Sequence, residues 1–204
     1  MTHAEARAII LQAWRRIHGT DPSDLQASYT QAIAWLENQY GRAGQFAGFA
    51  ANGGFNWGSL HARGTPPNCP AGSVAGQDVR PVCFQVFPTD LDAATAFVRV
   101  LTKQQWPTVQ AMQGSPEDVA TAMRVPPAYY EGDAKLSEAG KISAYANAIR
   151  RGLSDVAKGA PVPPIPSSRS VTGSLFVLAL LGAAGYGMYR LAGNPLPQIA
   201  RLVR

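Results

Sequence analysis

The chain has 204 residues, 46% of them hydrophobic and 15% charged, with 20 glycines and 16 prolines. It is too apolar and aromatic for a disordered chain and too heavily punctuated for a plain helical bundle. The net charge of +5 is unevenly spread. Residues 1–159 carry 14 Lys/Arg against 13 Asp/Glu, and the excess is Arg169, Arg190, Arg201 and Arg204, so the globular part offers no basic stripe to a nucleic acid.

Thr2 and Glu5 stand at capping-box spacing, and Ala6, Ile9, Ile10, Ala13, Trp14 and Ile17 follow at helical spacing, which predicts a first helix ended by Gly19. Glu5, Arg7, Arg15 and Arg16 interrupt any export core, so this segment does not read as a signal peptide. A second helix is predicted from about Pro22-Ser23-Asp24 to Tyr40, with Gly41 as its stop. From Gly44 to Pro88 the period changes. The run Phe55-Asn56-Trp57-Gly58-Ser59-Leu60-His61 is expected to pair, across a Gly/Pro/Asn-rich loop, with Val82-Cys83-Phe84-Gln85-Val86-Phe87.

Cys69 and Cys83 bound that loop. Oxidised, they would close about 15 residues and stabilise the fold by roughly 3 kcal/mol, in an oxidising compartment; otherwise they are two separate thiols. With only His3, His18 and His61 beside them, no metal-site spacing arises, and neither a metal nor a cofactor is expected. A cysteine peptidase using Cys69 or Cys83 with His61 is a distant alternative, since Cys69 lies in a loop rather than at a helix N-terminus.

Thr89 caps a further helix with an apolar face through Leu91, Ala94, Phe97, Val98 and Leu101, which Trp106-Pro107 is expected to break. Ser115-Pro116-Glu117-Asp118 starts another short helix. Residues 126–132 read as a loop, and a last helix covers about Ser137 to Lys158. Residues 159–170 form a proline-rich linker, an extended spacer. Residues 171–189 contain no charge, and 19 such residues suffice to cross a bilayer. A transmembrane helix is therefore predicted at 171–191, followed by a short basic tail at 192–204. Ala179, Ala183 and Gly187 recur every fourth position, a small-residue seam suited to helix–helix self-association in the membrane.

The residue types that carry chemistry begin with Glu37, in "AIAWLENQYGR". It lies in the last turn of its helix, among Ile33, Leu36 and Tyr40. Apolar burial and the partial negative charge of the helix end both disfavour its ionised form. A carboxylic acid kept protonated near neutral pH can donate to the leaving oxygen of a glycosidic bond. The bland alternative is a structural glutamate bonded to a neighbouring loop.

Leu36, Glu37, Tyr40, Gly41 and Arg42, then Asn56, Trp57, Gly58, Leu60 and His61, resemble the paired motifs of the lysozyme-like superfamily, in its glucosaminidase and lytic transglycosylase branches. The run "VFPTDLDAATAFVRVL" and the loop "AYYEG" resemble the segments that follow them in that family, so the resemblance covers roughly residues 5–158. It implies a mainly helical α+β domain with a small hairpin over residues 1–158. The implied activity is cleavage of the β-1,4 glycan strands of peptidoglycan, by hydrolysis or by anhydro-sugar formation. Glu37 would be the general acid, Asn56 and Trp57 would line the sugar sites, and Tyr130 or Tyr129 would support charge at the anomeric centre. Asn38 departs from the serine found there in many lytic transglycosylases. No second carboxylate stands out: Glu131 is a possible second acid, with Asp133 beside it, and a single acid would suit substrate-assisted chemistry.

The expected protein is thus a membrane-tethered glycosidase with its N-terminal domain on the cell-wall (periplasmic) side, or a component of a phage virion or virion membrane. The competing expectation is a catalytically silent wall-binding or structural module on the same fold.

Overall fold

The computed structural model describes residues 1–78, 80–104, 106–124 and 134–166. The expected span at 171–191, its seam at Ala179, Ala183 and Gly187, the tail at 192–204, and Tyr129, Tyr130, Glu131 and Asp133 all lie outside these residues. Among the described residues no helix is long and apolar enough to cross a membrane.

The architecture is mixed α+β, with seven α-helices and one antiparallel hairpin among the described residues. Helix α1, His3–His18, starts at the Thr2/Glu5 capping box and ends on Gly19 in the left-handed conformation. Helix α2, Asp24–Asn38, starts at a Ser23/Gln26 capping box. It stops two residues before the expected Tyr40, because Gln39, Tyr40 and Gly41 all take positive φ (52°, 60° and 75°) and reverse the chain. Helix α3, Gln45–Ala51, falls where only a change of period had been expected; Phe46 and Ala50, one turn apart, bury its inner face.

The hairpin joins β1, Ser73–Gln77, to β2, Pro81–Gln85, with Ala75 opposite Cys83. This corrects the expected pairing. The 55–61 segment meets the β2 segment only through single bridges, Phe55 to Phe87 and His61 to Phe84, and the full partner of β2 is a stretch whose composition reads as loop. Cys69 and Cys83 are disulfide-bonded, which fastens the 62–72 loop to β2 and leaves no free cysteine. Without a thiol nucleophile, the peptidase alternative falls.

Helix α4, Asp90–Arg99, begins at the Thr89 cap. The helical path continues through a π-helical turn, Val100–Gln104, and then α5, Trp106–Ala111. Pro107 therefore lies in the first turn of a helix, where its missing N–H has no intrahelical partner to lose, rather than only ending one. Helix α6, Pro116–Ala122, has the Ser115 cap, and α7, Glu138–Ala157, has Ser137.

Helix α1 packs on α4, and α7 packs on α2 and α6. The crossing of α2 and α7 is close: a Cβ on Gly152 would lie 2.9 Å from Leu36 Cγ and 3.0 Å from the Ala32 carbonyl oxygen. One core runs through Ile10, Trp14, Ile33, Trp57, Phe97, Met112, Tyr145 and Ile149. The linker does not leave the domain at once, since Ala160 and Val162 pack against this core. His3 holds the turn. Its Nε2 donates to the Ala160 carbonyl (2.8 Å), so in the neutral ring Nδ1 accepts from Tyr40 Oη (2.8 Å).

Candidate functional site

Glu37 is the second-last residue of α2. The residue as a whole is half-buried, but its Oε1 is shut off from solvent and has no hydrogen-bond partner among the described residues. That is the costly arrangement for a carboxylate, and the proton answers it. Burial pushes the Glu37 carboxyl well above the ordinary carboxylate range, and the negative charge of Asp78 pushes it further. The carboxyl is not locked in an ion pair among the described residues.

The helix end that carries Glu37 is held on every side. The adjacent Asn38 is buried; its Nδ2 donates to the Asn56 carbonyl (2.8 Å), and its Oδ1 accepts from the Gly41 N–H (2.7 Å). Asn38 thus ties the helix end to the 55–61 segment. Gly41 is required there. Beyond its positive φ, a Cβ would lie 2.9 Å from the Asn56 carbonyl oxygen. Arg42, also buried, donates to the Tyr40 carbonyl (2.6 Å) and grips both oxygens of Asp90 (3.0 and 2.7 Å).

Asn56 and Trp57 do not line an open surface, which corrects their expected role. Asn56 is buried, and its amide is spent on the backbone: Nδ2 donates to the Leu60 and Gln85 carbonyls, and Oδ1 accepts from the Gly58 and Leu60 N–H groups. No donor or acceptor is left for a sugar. Trp57 is fully buried, with its Nε1 donating to Asp90 Oδ1 (2.7 Å) and its ring against Tyr40. It offers no face for stacking. The segment that includes these two residues is tied to the end of α2 through Asn38.

Asp78, just past β1 at the hairpin turn, was not singled out from the sequence, although it is the charge that bears on Glu37. His61 Nε2 stands 3.2 Å from Asp78 Oδ2, and the His61 ring packs edge-on against Phe84. The signal in the sequence was an acid between two short runs, "SVAGQ" and "PVCFQ", which becomes visible once the first is read as a strand. Glu37, Asp78 and His61 thus come together from α2, the hairpin turn and the 55–61 segment. Among the described residues no group of His, Cys, Asp and Glu could hold a metal ion.

No family model, curated protein or solved structure matches the chain.

Chemically, the site pairs a carboxyl biased toward its protonated form with a carboxylate on a separate structural element. A carboxyl kept in its protonated form by its surroundings can act as a general acid.

Proposed function

We propose that the described domain is a glycan-cleaving enzyme acting on the β-1,4 strands of peptidoglycan, with Glu37 as general acid. The observation that carries this reading is the Glu37 carboxyl, buried at Oε1 and unbonded there at the end of a helix, with its proton held by burial and by Asp78. Glu37 gives its proton to the leaving glycosidic oxygen as the C–O bond breaks. Asp78 supplies the second carboxylate and stabilises the positive charge that develops at the anomeric carbon. Residues 171–191 anchor the domain to a bilayer, with the domain on the wall side. The Cys69–Cys83 disulfide suits that compartment.

The test uses the full-length protein in mild detergent on purified peptidoglycan, wild type against Glu37→Gln. The wild type should solubilise the sacculi, and the variant should be slower by about 10²–10⁴-fold, the usual contribution of a positioned general acid. Equal solubilisation by the two proteins removes Glu37 from the chemistry. No solubilisation by either leaves the tethered, silent module as the better reading. Mass analysis of the products separates hydrolysis from anhydro-sugar formation, which differ by one water.

A further inference from the structure

Gln45, the first residue of α3, reaches the free edge of β1. Its Nε2 donates to the Gln77 carbonyl (2.6 Å), and its Oε1 accepts from the Gln77 N–H (2.9 Å). Two opposed bonds to the backbone of one residue are what a neighbouring strand would make, and a primary amide carries the donor and acceptor needed to imitate it. The register leaves those groups free for the task. Residues 73, 75 and 77 face 85, 83 and 81 in one alternating class, and in that class Cys83 and Gln85 direct their backbone groups away from β1, to Ala62 and Leu60. Gln77 likewise directs its N–H and C=O away from β2, toward Gln45.

The neighbouring positions are fitted to this clamp. A Cβ on Gly76 would lie 2.6 Å from Gln45 Oε1 and 2.7 Å from Phe84 Cδ2, so only glycine lets the amide close on the strand. On the other side, the residue after Gln77 is Asp78. The chain between Glu37 and Gln45 is short and fixed by Asn38, Arg42 and the left-handed residues 39–41. Gln45 thus links the short segment that follows Glu37 to the residue that precedes Asp78.

We propose that Gln45 is a positioning residue which, by holding the Gln77 backbone, sets Asp78 opposite Glu37, and that Gly76 makes room for it. The inference rests on the reading of Glu37 and Asp78 as the working pair. It names a part of the site that the motif residues do not include.

The experiment follows the Glu37 carboxyl by ¹³C NMR titration in the full-length protein, with kcat and KM on soluble glycan strands measured in parallel. Asp78 is the charge bearing on Glu37 among the described residues, and His61 Nε2 stands 3.2 Å from Asp78 Oδ2. Asp78→Asn should lower the Glu37 midpoint. Gln45→Ala and Gly76→Ala should lower it in the same direction by a smaller amount, because the turn carrying Asp78 is loosened. Gln45→Met keeps the length and packing of the side chain without its amide, and serves if the alanine variant fails to fold. The Gln45 and Gly76 variants should each lose about 10²-fold in kcat with little change in KM, as a misplacement of about 1 Å does. Gln45 variants with the wild-type midpoint and kcat, while Asp78→Asn moves both, overturn the positioning role. An unmoved midpoint in Asp78→Asn overturns it as well. If the wild type proves inert on glycan, the enzymatic reading fails, yet the midpoints still decide whether Gln45 sets Asp78 against Glu37.

Discussion

Replacing Glu37 by Gln should remove a specific pH dependence from the stability of the protein. The folded-state carboxyl has its proton affinity raised, first by burial and then by Asp78, whereas in the unfolded chain it titrates near the usual value of about 4.3. Between that value and the raised folded one, the folded protein binds the proton and the unfolded chain has released it. The unfolded state therefore binds fewer protons, and stability falls as pH rises through this window, reaching its floor once the folded carboxyl ionises too. A single proton sets the steepest slope at about 1.4 kcal/mol per pH unit. Glutamine has no proton to lose, and an unpartnered amide in the same place adds only a pH-independent offset. Urea unfolding of both proteins at half-unit steps from pH 4.5 to 8 measures the effect. Groups that do not interact with Glu37 titrate alike in the two and cancel in the difference, so wild type should lose ground steadily against the variant as pH rises. The alkaline limb of glycan cleavage should fall where this loss ends, because both report the same proton. A difference constant to within about 0.5 kcal/mol across the range would refute the burial argument, and with it the claim that Glu37 arrives at the substrate already protonated.

Two further outcomes test the frame around the site. Arg42 is buried and its guanidinium is held by both oxygens of Asp90, which also accepts from Trp57 Nε1; Asp90→Asn leaves that cation without its counter-charge and should cost about 3–5 kcal/mol. Thermal melts should show a fall of about 10 °C, and a loss under about 1 kcal/mol would mean that Arg42 finds water or another acceptor. Changing Cys69 and Cys83 together to Ser releases the 62–72 loop from β2 and should cost about 3 kcal/mol, equal to the effect of reductant on wild type in the same unfolding assay; no difference between oxidised and reduced wild type would show that the hydrogen bonds of the loop hold it unaided.

Five of the seven described helices, all but α3 and α5, were legible because their ends are written in short-range chemistry. Thr2 with Glu5, Thr89 and Ser115 each cap the helix they were expected to start, the last helix begins about where it was expected, with Ser137 as its cap, and Gly19 closes the first. The hairpin was not. In "SVAGQ" the glycine that looks like loop composition is a strand residue chosen for the approach of Gln45 and Phe84, and no local pattern shows what will come near it. Losing β1 meant losing Asp78, whose importance comes from where the turn puts it. Asn56 and Trp57 were legible as important but not as to direction: a conspicuous amide and indole serve a buried backbone network as readily as a sugar, and only their neighbours decide. Glu37 was visible because burial and helix position both follow from spacing along a single helix.

A carboxyl with an unbonded, buried oxygen is a defect that a relaxed chain would repair by turning the side chain outward or by unwinding the helix end, since leaving such a group unsatisfied costs about 1–3 kcal/mol. Here the surrounding residues deny the second route. Asn38 bonds the helix end to the Asn56 carbonyl, Gly41 lets the reversal pass that carbonyl at close range, and Arg42 is anchored to the first residue of α4. Each of these contacts is made by a neighbour of Glu37, and each would survive its replacement. Strained or unsatisfied groups persist only where the structure over-determines them. The residues that flank Glu37 in the sequence therefore fix the helix end against unwinding, which keeps the carboxyl in surroundings that favour its proton.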